Sequence, residues 1–244
     1  MIQSSVDTTT TLQVIQVVLW FLSGGIALYF SIGNSRIWTS ISTGFFLLFI
    51  SQAYLLYPAI TNSRLTAIHF IVGTIAIMVM TYGFQEYYVF SRTLESGGSK
   101  VMVYLVTAIV VAASMMFLLI NPEPSPMVVR QIKMIENVNW VFLALINIDM
   151  AMKIYSQIKD SPIARGFLGF IVCFGLILLW RGSELYLQVF GWDQDFVKLA
   201  GKAVVNMPPD TIRIPFSRLV HDISGLASSL AVGGTFVYLV KRLR

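Results

Sequence analysis

Long apolar runs separated by short polar connections dominate the pattern along this chain. Stretches such as VYLVTAIVVAASMMFLLI (103–120) and GFLGFIVCFGLILLW (166–180) hold no charged residue. A helix needs about 20 mainly apolar residues to cross the roughly 30 Å hydrocarbon core of a bilayer. Seven segments meet that length, near 11–32, 37–59, 65–91, 101–120, 138–156, 163–190 and 218–240. Runs this long exclude a membrane β-barrel, whose strands alternate over about ten residues. The pattern predicts an all-α fold: a polytopic integral membrane protein, with residues 1–244 forming one bundle of seven transmembrane helices.

Composition agrees. Only 12% of residues are charged, 56% are hydrophobic, and mean hydropathy is +0.75, whereas soluble domains carry roughly 25% charged residues. The net charge of +5 suggests a nucleic-acid partner only until the charges are placed. They cluster in short connections, where Lys and Arg report membrane orientation. One set of connections and the C-terminal end hold Arg36, Arg92, Lys100, Lys153, Lys159, Arg165, Lys241, Arg242 and Arg244; the short connections opposite hold Arg64, Arg130 and Lys133, and the last, longer one adds Lys198, Lys202, Arg213 and Arg218, balanced by acids. The bias predicts an N-terminus outside and a C-terminus in the cytoplasm, in the cytoplasmic (inner) membrane of a bacterial or archaeal cell. No Lys or Arg precedes the first apolar run, so that run is expected to be a retained helix rather than a cleaved leader.

Aromatic residues at the span ends are expected to mark the interfaces: Trp38, Tyr87, Tyr88, Tyr104, Tyr155 and Tyr238 inside, Tyr54, Tyr57, Trp140 and Trp192 outside. Two outer connections are long. The first, 121–139, is broken by prolines and then allows a short helix. The second carries Phe196, Leu199, Ala200 and Val204 on about one helical face, as expected of an interfacial helix or a lid.

Ionisable groups inside spans are costly and point to function by default. Both histidines, His69 and His221, fall about one turn below the outer surface, and each is followed four residues on by a glycine, Gly73 and Gly225. Ala76, Ser228 and Ser229 continue the small-residue track. Two imidazoles from facing helices can ligate haem iron, and small residues beneath them would leave a flat gap for the macrocycle. Arg181, Glu184 and Gln188 share one face of the sixth span. Arg181 can pair with a haem propionate or with Glu184, and Tyr57 and Asn139 are expected beside them in a ligand or quinone pocket. Small-xxx-small tracks also serve plain helix packing. Asp149–Lys153 and Glu86 with Arg92 read as structural ion pairs near the inner surface. Cys173, the single cysteine, reads as a small buried hydrophobe.

Two functions follow as expectations. The first is a b-type cytochrome-like subunit. It holds one haem b on His69 and His221 and passes electrons between quinol and an extracytoplasmic partner, alongside partner membrane subunits. The second is a cofactor-free sensory or scaffold protein whose outer polar cavity takes a small ligand or partner subunits. The sequence has no HExxH, phosphate-binding loop, GxSG-type nucleophile turn or nucleic-acid module, and the last span has no Lys before Lys241 to carry retinal.

Overall fold

The computed structural model describes residues 2–54, 63–94, 99–193 and 213–243. They form seven helices and no strand: α1 (Ile2–Gly33), α2 (Ile37–Ala53), α3 (Ser63–Thr93), α4 (Lys100–Ile120), α5 (Pro126–Gln157), α6 (Ala164–Val189) and α7 (Arg213–Leu243). All but α2 are long and apolar enough to cross a membrane. Their outer faces carry large exposed side chains such as Phe21, Ile109, Phe142 and Val172. Such surfaces are stable in lipid, so the chain is a multi-pass membrane protein. The proposed helix or lid at Phe196, Leu199, Ala200 and Val204, and Tyr57, lie outside the described residues.

The largest difference from the sequence pattern is in α5. A span was expected from 138, but the helix begins twelve residues earlier. Ser125 caps it by accepting from the Val128 amide, and Pro126 occupies the first turn. Proline is favoured there because its missing N–H is not needed. Arg130, Lys133 and Glu136 were expected in or near a connection and instead ride on the first turns of a continuous helix.

Six helices close a ring in the order α1, α2, α3, α5, α6, α7 and back to α1, and α4 lies outside it against α3 and the edge of α2. Of α4 only Val103 and Thr107 are buried. Its start is fastened by Lys100, which donates to the carbonyls of Ser31 and Asn34 at the end of α1, and by a Tyr104–Ser31 hydroxyl contact. Helices in lipid gain little from hydrophobicity and rely on close packing and small residues. The α2–α3 seam shows this. A Cβ at Gly83 would stand 2.6 Å from the Ile41 nitrogen, and one at Gly44 would stand 2.8 Å from the Ala76 oxygen.

The ring is plugged at one end by aromatic side chains. Phe84 packs edge-on against Phe170 and Phe174 at 5.3 Å, and Phe45 and Phe236 close over Phe170 at 6.0 and 5.5 Å. Trp38 and Tyr87, expected at the lipid interface, are buried in this plug 5.0 Å apart. Trp140 is also fully buried. Aromatic residues near helix ends fill a ring interior as well as they mark an interface, and hydropathy does not separate the two. Beside the plug, Glu86 pairs with Arg36 at 2.9 Å, while Arg92 stacks over Tyr88 at 4.7 Å. Asp149 and Lys153 pair at 2.6 Å as the spacing predicts.

Candidate functional site

At the other end, where α1, α3, α5 and α7 begin, the ring encloses a cavity of about 380 Å³. Both histidines line it, with Arg181 and Glu184. The convergence of these four polar residues was legible in the sequence. Their bonding was not.

Arg181 does not pair with Glu184. Its guanidinium lies against Glu136 of α5, Nη2 to Oε1 at 3.2 Å and Nη1 donating to Oε2 at 3.3 Å. The Glu136 side chain is fully buried. The cation also sits 4.2 Å from the Trp180 ring centre and 5.4 Å from that of Trp140, an arrangement that helps a buried guanidinium. Glu184 pairs with Lys133 at 2.7 Å. Arg130 grips Asp193 through two bonds, of 2.8 and 3.0 Å, and also donates to the Gln188 carbonyl. Three cross-helix ion pairs therefore join α5 to α6 and the residues just after it. All three draw their cation or carboxylate from the α5 extension.

His69 is 2% exposed. Its Nδ1 lies 2.5 Å from the Ser51 carbonyl oxygen, and the Ser51 hydroxyl donates back to the His69 carbonyl at 3.0 Å. A carbonyl only accepts, so Nδ1 carries a hydrogen, and in the neutral form of the ring the lone pair then lies on Nε2. His221 is bonded differently. Its Nε2 accepts from the Trp180 indole N–H at 3.1 Å, and Nδ1 lies 3.1 Å from Asp222 Oδ1. Adjacent residues on a helix lie about 100° apart, yet the short Asp222 side chain reaches back to its neighbour. Trp180 in turn stacks on Trp20 with ring centres 6.0 Å apart.

The gaps expected beneath the histidines are filled. A Cβ at Gly73 would stand 2.1 Å from Glu136 Oε1, and one at Gly225 would stand 2.7 Å from Gln16 Nε2 and 3.1 Å from Trp180 Nε1. Gly73 makes room for a carboxylate and Gly225 for an amide and an indole. Nor do α3 and α7 adjoin: they stand across the ring from each other. Ala76 packs against Gly44, and Ser228 and Ser229 donate to carbonyls of their own helix.

Gln188 is buried and accepts from Asn137 at 2.9 Å, outside the cavity lining. Asn139 is half-buried and also outside the lining. Sequence reasoning missed Glu136, Lys133, Trp180 and Gln16. The Ser125–Pro126 start of α5 was the available signal for the first two; nothing in the pattern marks the others. Among the described residues no group of three or more His, Cys, Asp and Glu side chains has the arrangement to hold a metal ion.

The His221–Trp180 bond gives a first expected outcome. Trp180 is 2% exposed, and a buried donor left without an acceptor costs about 1–3 kcal/mol. His221→Phe should lower stability by that amount and shift the tryptophan emission, while His221→Gln keeps an acceptor and should lose less. Equal losses, read by thermal unfolding in detergent, would show that the bond contributes little.

No protein-family model, curated protein or solved structure matches this chain.

Proposed function

We propose that the chain is a seven-helix protein of a cell membrane, with the cavity facing outside, and that it works by binding a small molecule in that cavity. The supporting observation is the shape of the ring interior: a polar cavity at one end, backed by a packed aromatic plug at the other. A blind, preformed cavity on which polar groups converge is a common form of ligand site, and here polar and charged residues make up most of the lining. This favours the sensory or scaffold reading, in which the bound molecule sets the state of the bundle for partner subunits.

α2 is the seventh span. Its 17 residues reach about 25 Å, and it stands in the ring between α1 and α3. The orientation rests on charge. Arg36, Arg92, Lys100, Lys153, Lys159, Arg165, Lys241 and Arg242 gather at the plugged end, while the cavity end carries fewer cations, Arg64, Arg130, Lys133, Arg213 and Arg218, of which Arg130 and Lys133 are matched by acids. Arg218 lines the cavity mouth and is exposed, and Cys173 is buried. Arg218→Cys should therefore react with a membrane-impermeant maleimide added to intact cells, while the parent protein does not. Labelling only after the cells are opened would reverse the orientation.

Binding is tested by thermal unfolding of the detergent-purified protein against small polar and carbonyl-bearing compounds. A saturable rise in Tm is expected, lost when the cavity is filled by Leu226→Trp. A Tm that no compound raises would count against the reading.

A second reading keeps haem b between His69 and His221, because both line one cavity. As the side chains stand, His221 Nε2 is occupied by Trp180, so iron ligation requires that bond to open. A reduced-minus-oxidised spectrum with a sharp low-spin b-type band, lost in His69→Ala, would select this reading.

A further inference from the structure

The plugged end carries cations that the packing of the bundle does not use. Arg36 is paired with Glu86, Lys153 with Asp149, and Lys100 is bonded to the end of α1. Lys159, Arg165 and Lys241 are different. They are exposed, and among the described residues none of them makes an ion pair or a side-chain hydrogen bond. Arg242, also exposed, lies 5.8 Å from the ring centre of Tyr238.

Tertiary packing gathers these four from two distant parts of the chain. The Tyr238 hydroxyl donates to the Pro162 carbonyl at 3.0 Å, which ties the end of α7 to the turn before α6. Next to it, Leu239 fills the space over Gly166, where a Cβ would stand 2.5 Å from Leu239 Cδ2. Arg165 is one residue before Gly166, and Lys241 is two residues after Leu239. The two helices run antiparallel, so both cations lie within about 3 Å of that contact along the axis, on the side away from the bilayer centre. The one acid in the turn before α6 is Asp160, so the patch keeps an excess of positive charge.

The surface beneath the patch shows what anion suits it. Arg165, Leu168 and Val172 share the outer face of α6, and all three are exposed. On α7, Val237 and Leu230 lie one and three turns below Lys241 and are exposed as well. The helices adjoin, so two apolar stripes run side by side on the outside of the ring, each ending in a cation. A soluble phosphate would use the cations but not the stripes. A lipid of no net charge would use the stripes but leave the excess charge in place.

We propose that this patch binds an anionic phospholipid in the leaflet at the plugged end. Its phosphate lies between Arg165 and Lys241, Lys159 and Arg242 flank it, and the acyl chains follow the stripes on α6 and α7. Basic pockets between membrane helices are a known form of site for acidic lipid head groups. The patch is at the opposite end from the cavity, so the inference does not depend on what the cavity holds.

The test is thermal unfolding of the whole protein in a neutral detergent, titrated with phosphatidylglycerol, phosphatidylcholine or inorganic phosphate. Phosphatidylglycerol is expected to raise Tm saturably, phosphatidylcholine less, and phosphate not at all. Arg165→Gln with Lys241→Gln changes only exposed side chains and should leave the Tm without lipid unchanged. It should weaken the apparent affinity for phosphatidylglycerol about thirtyfold, since each cation near a membrane surface contributes about 1 kcal/mol. Lys159→Gln with Arg242→Gln should also weaken it. Equal responses to the two lipids, or a phosphatidylglycerol response that is the same in the parent and both variants, overturns the proposal. A rise with inorganic phosphate equal to that with phosphatidylglycerol overturns the lipid assignment and leaves an anion site.

Discussion

Glu136→Ala is expected to destabilise the protein by about 3–5 kcal/mol, the cost of stranding a buried charge, and to lower Tm by on the order of 10 °C. The Glu136 side chain is fully buried and that of Arg181 is 7% exposed, so water does little to replace the lost carboxylate. The Trp180 and Trp140 faces that flank the guanidinium supply only part of the missing stabilisation. Removing both partners is different. Arg181→Met with Glu136→Met leaves two apolar side chains of similar length, and such replacements are often close to neutral. The double variant should therefore recover most of the single variant's loss. The check is thermal unfolding of the four proteins in one detergent, which closes a double-mutant cycle. A single variant as stable as the parent would mean that the cavity hydrates Arg181 directly.

Gly83→Leu should be comparably damaging, through packing. A Cβ at Gly83 has the Ile41 nitrogen at 2.6 Å, Ile41 Cγ1 at 2.7 Å and Ser40 Cβ at 2.9 Å. The first of these is backbone and cannot swing aside, so α2 and α3 must separate along their seam. Overpacking costs about 1–3 kcal/mol where a site can adjust; here the loss should reach the top of that range or pass it. Gly175 is the control. It is also within a helix, but a Cβ there meets nothing within 4 Å. Gly175→Leu should be neutral or slightly stabilising, since Gly is about 1 kcal/mol less favourable than Ala inside a helix and Leu is close to Ala. Equal Tm values for the two leucine variants would show that the seam is looser than its geometry.

The residues that the sequence brought to attention converge in part. His69, His221, Arg181 and Glu184 meet at one cavity because helices alternate in direction, so residues near the starts of α3 and α7 share a level with residues near the end of α6. That argument needs only span order and rise per residue. The proposed open gap below the histidines failed, because a glycine reports that something approaches closely but not what approaches. At Gly73 the neighbour is a carboxylate; at Gly225 it is Gln16 and Trp180. The Arg181–Glu184 pair failed for a related reason. Spacing along one helix shows which side chains can meet, while the competing partners Glu136 and Lys133 come from α5, whose first turns look like a polar connection by hydropathy.

By itself, the sequence determined an all-helical chain of the membrane and the level at which its polar residues gather. Both follow from local quantities, apolar run length and helical rise, which depend on no partner. The tertiary structure decided that six helices close a ring with α4 outside. It also decided that Trp38, Tyr87 and Trp140 turn inward, and which carboxylate neutralises Arg181. Those outcomes depend on which surfaces face each other, and in lipid an apolar residue is equally content against a neighbouring helix or a hydrocarbon tail. Hydrophobicity therefore cannot choose helix partners here. The choice falls to small-residue seams such as Gly44 and Gly83, and to buried polar groups that must find one another.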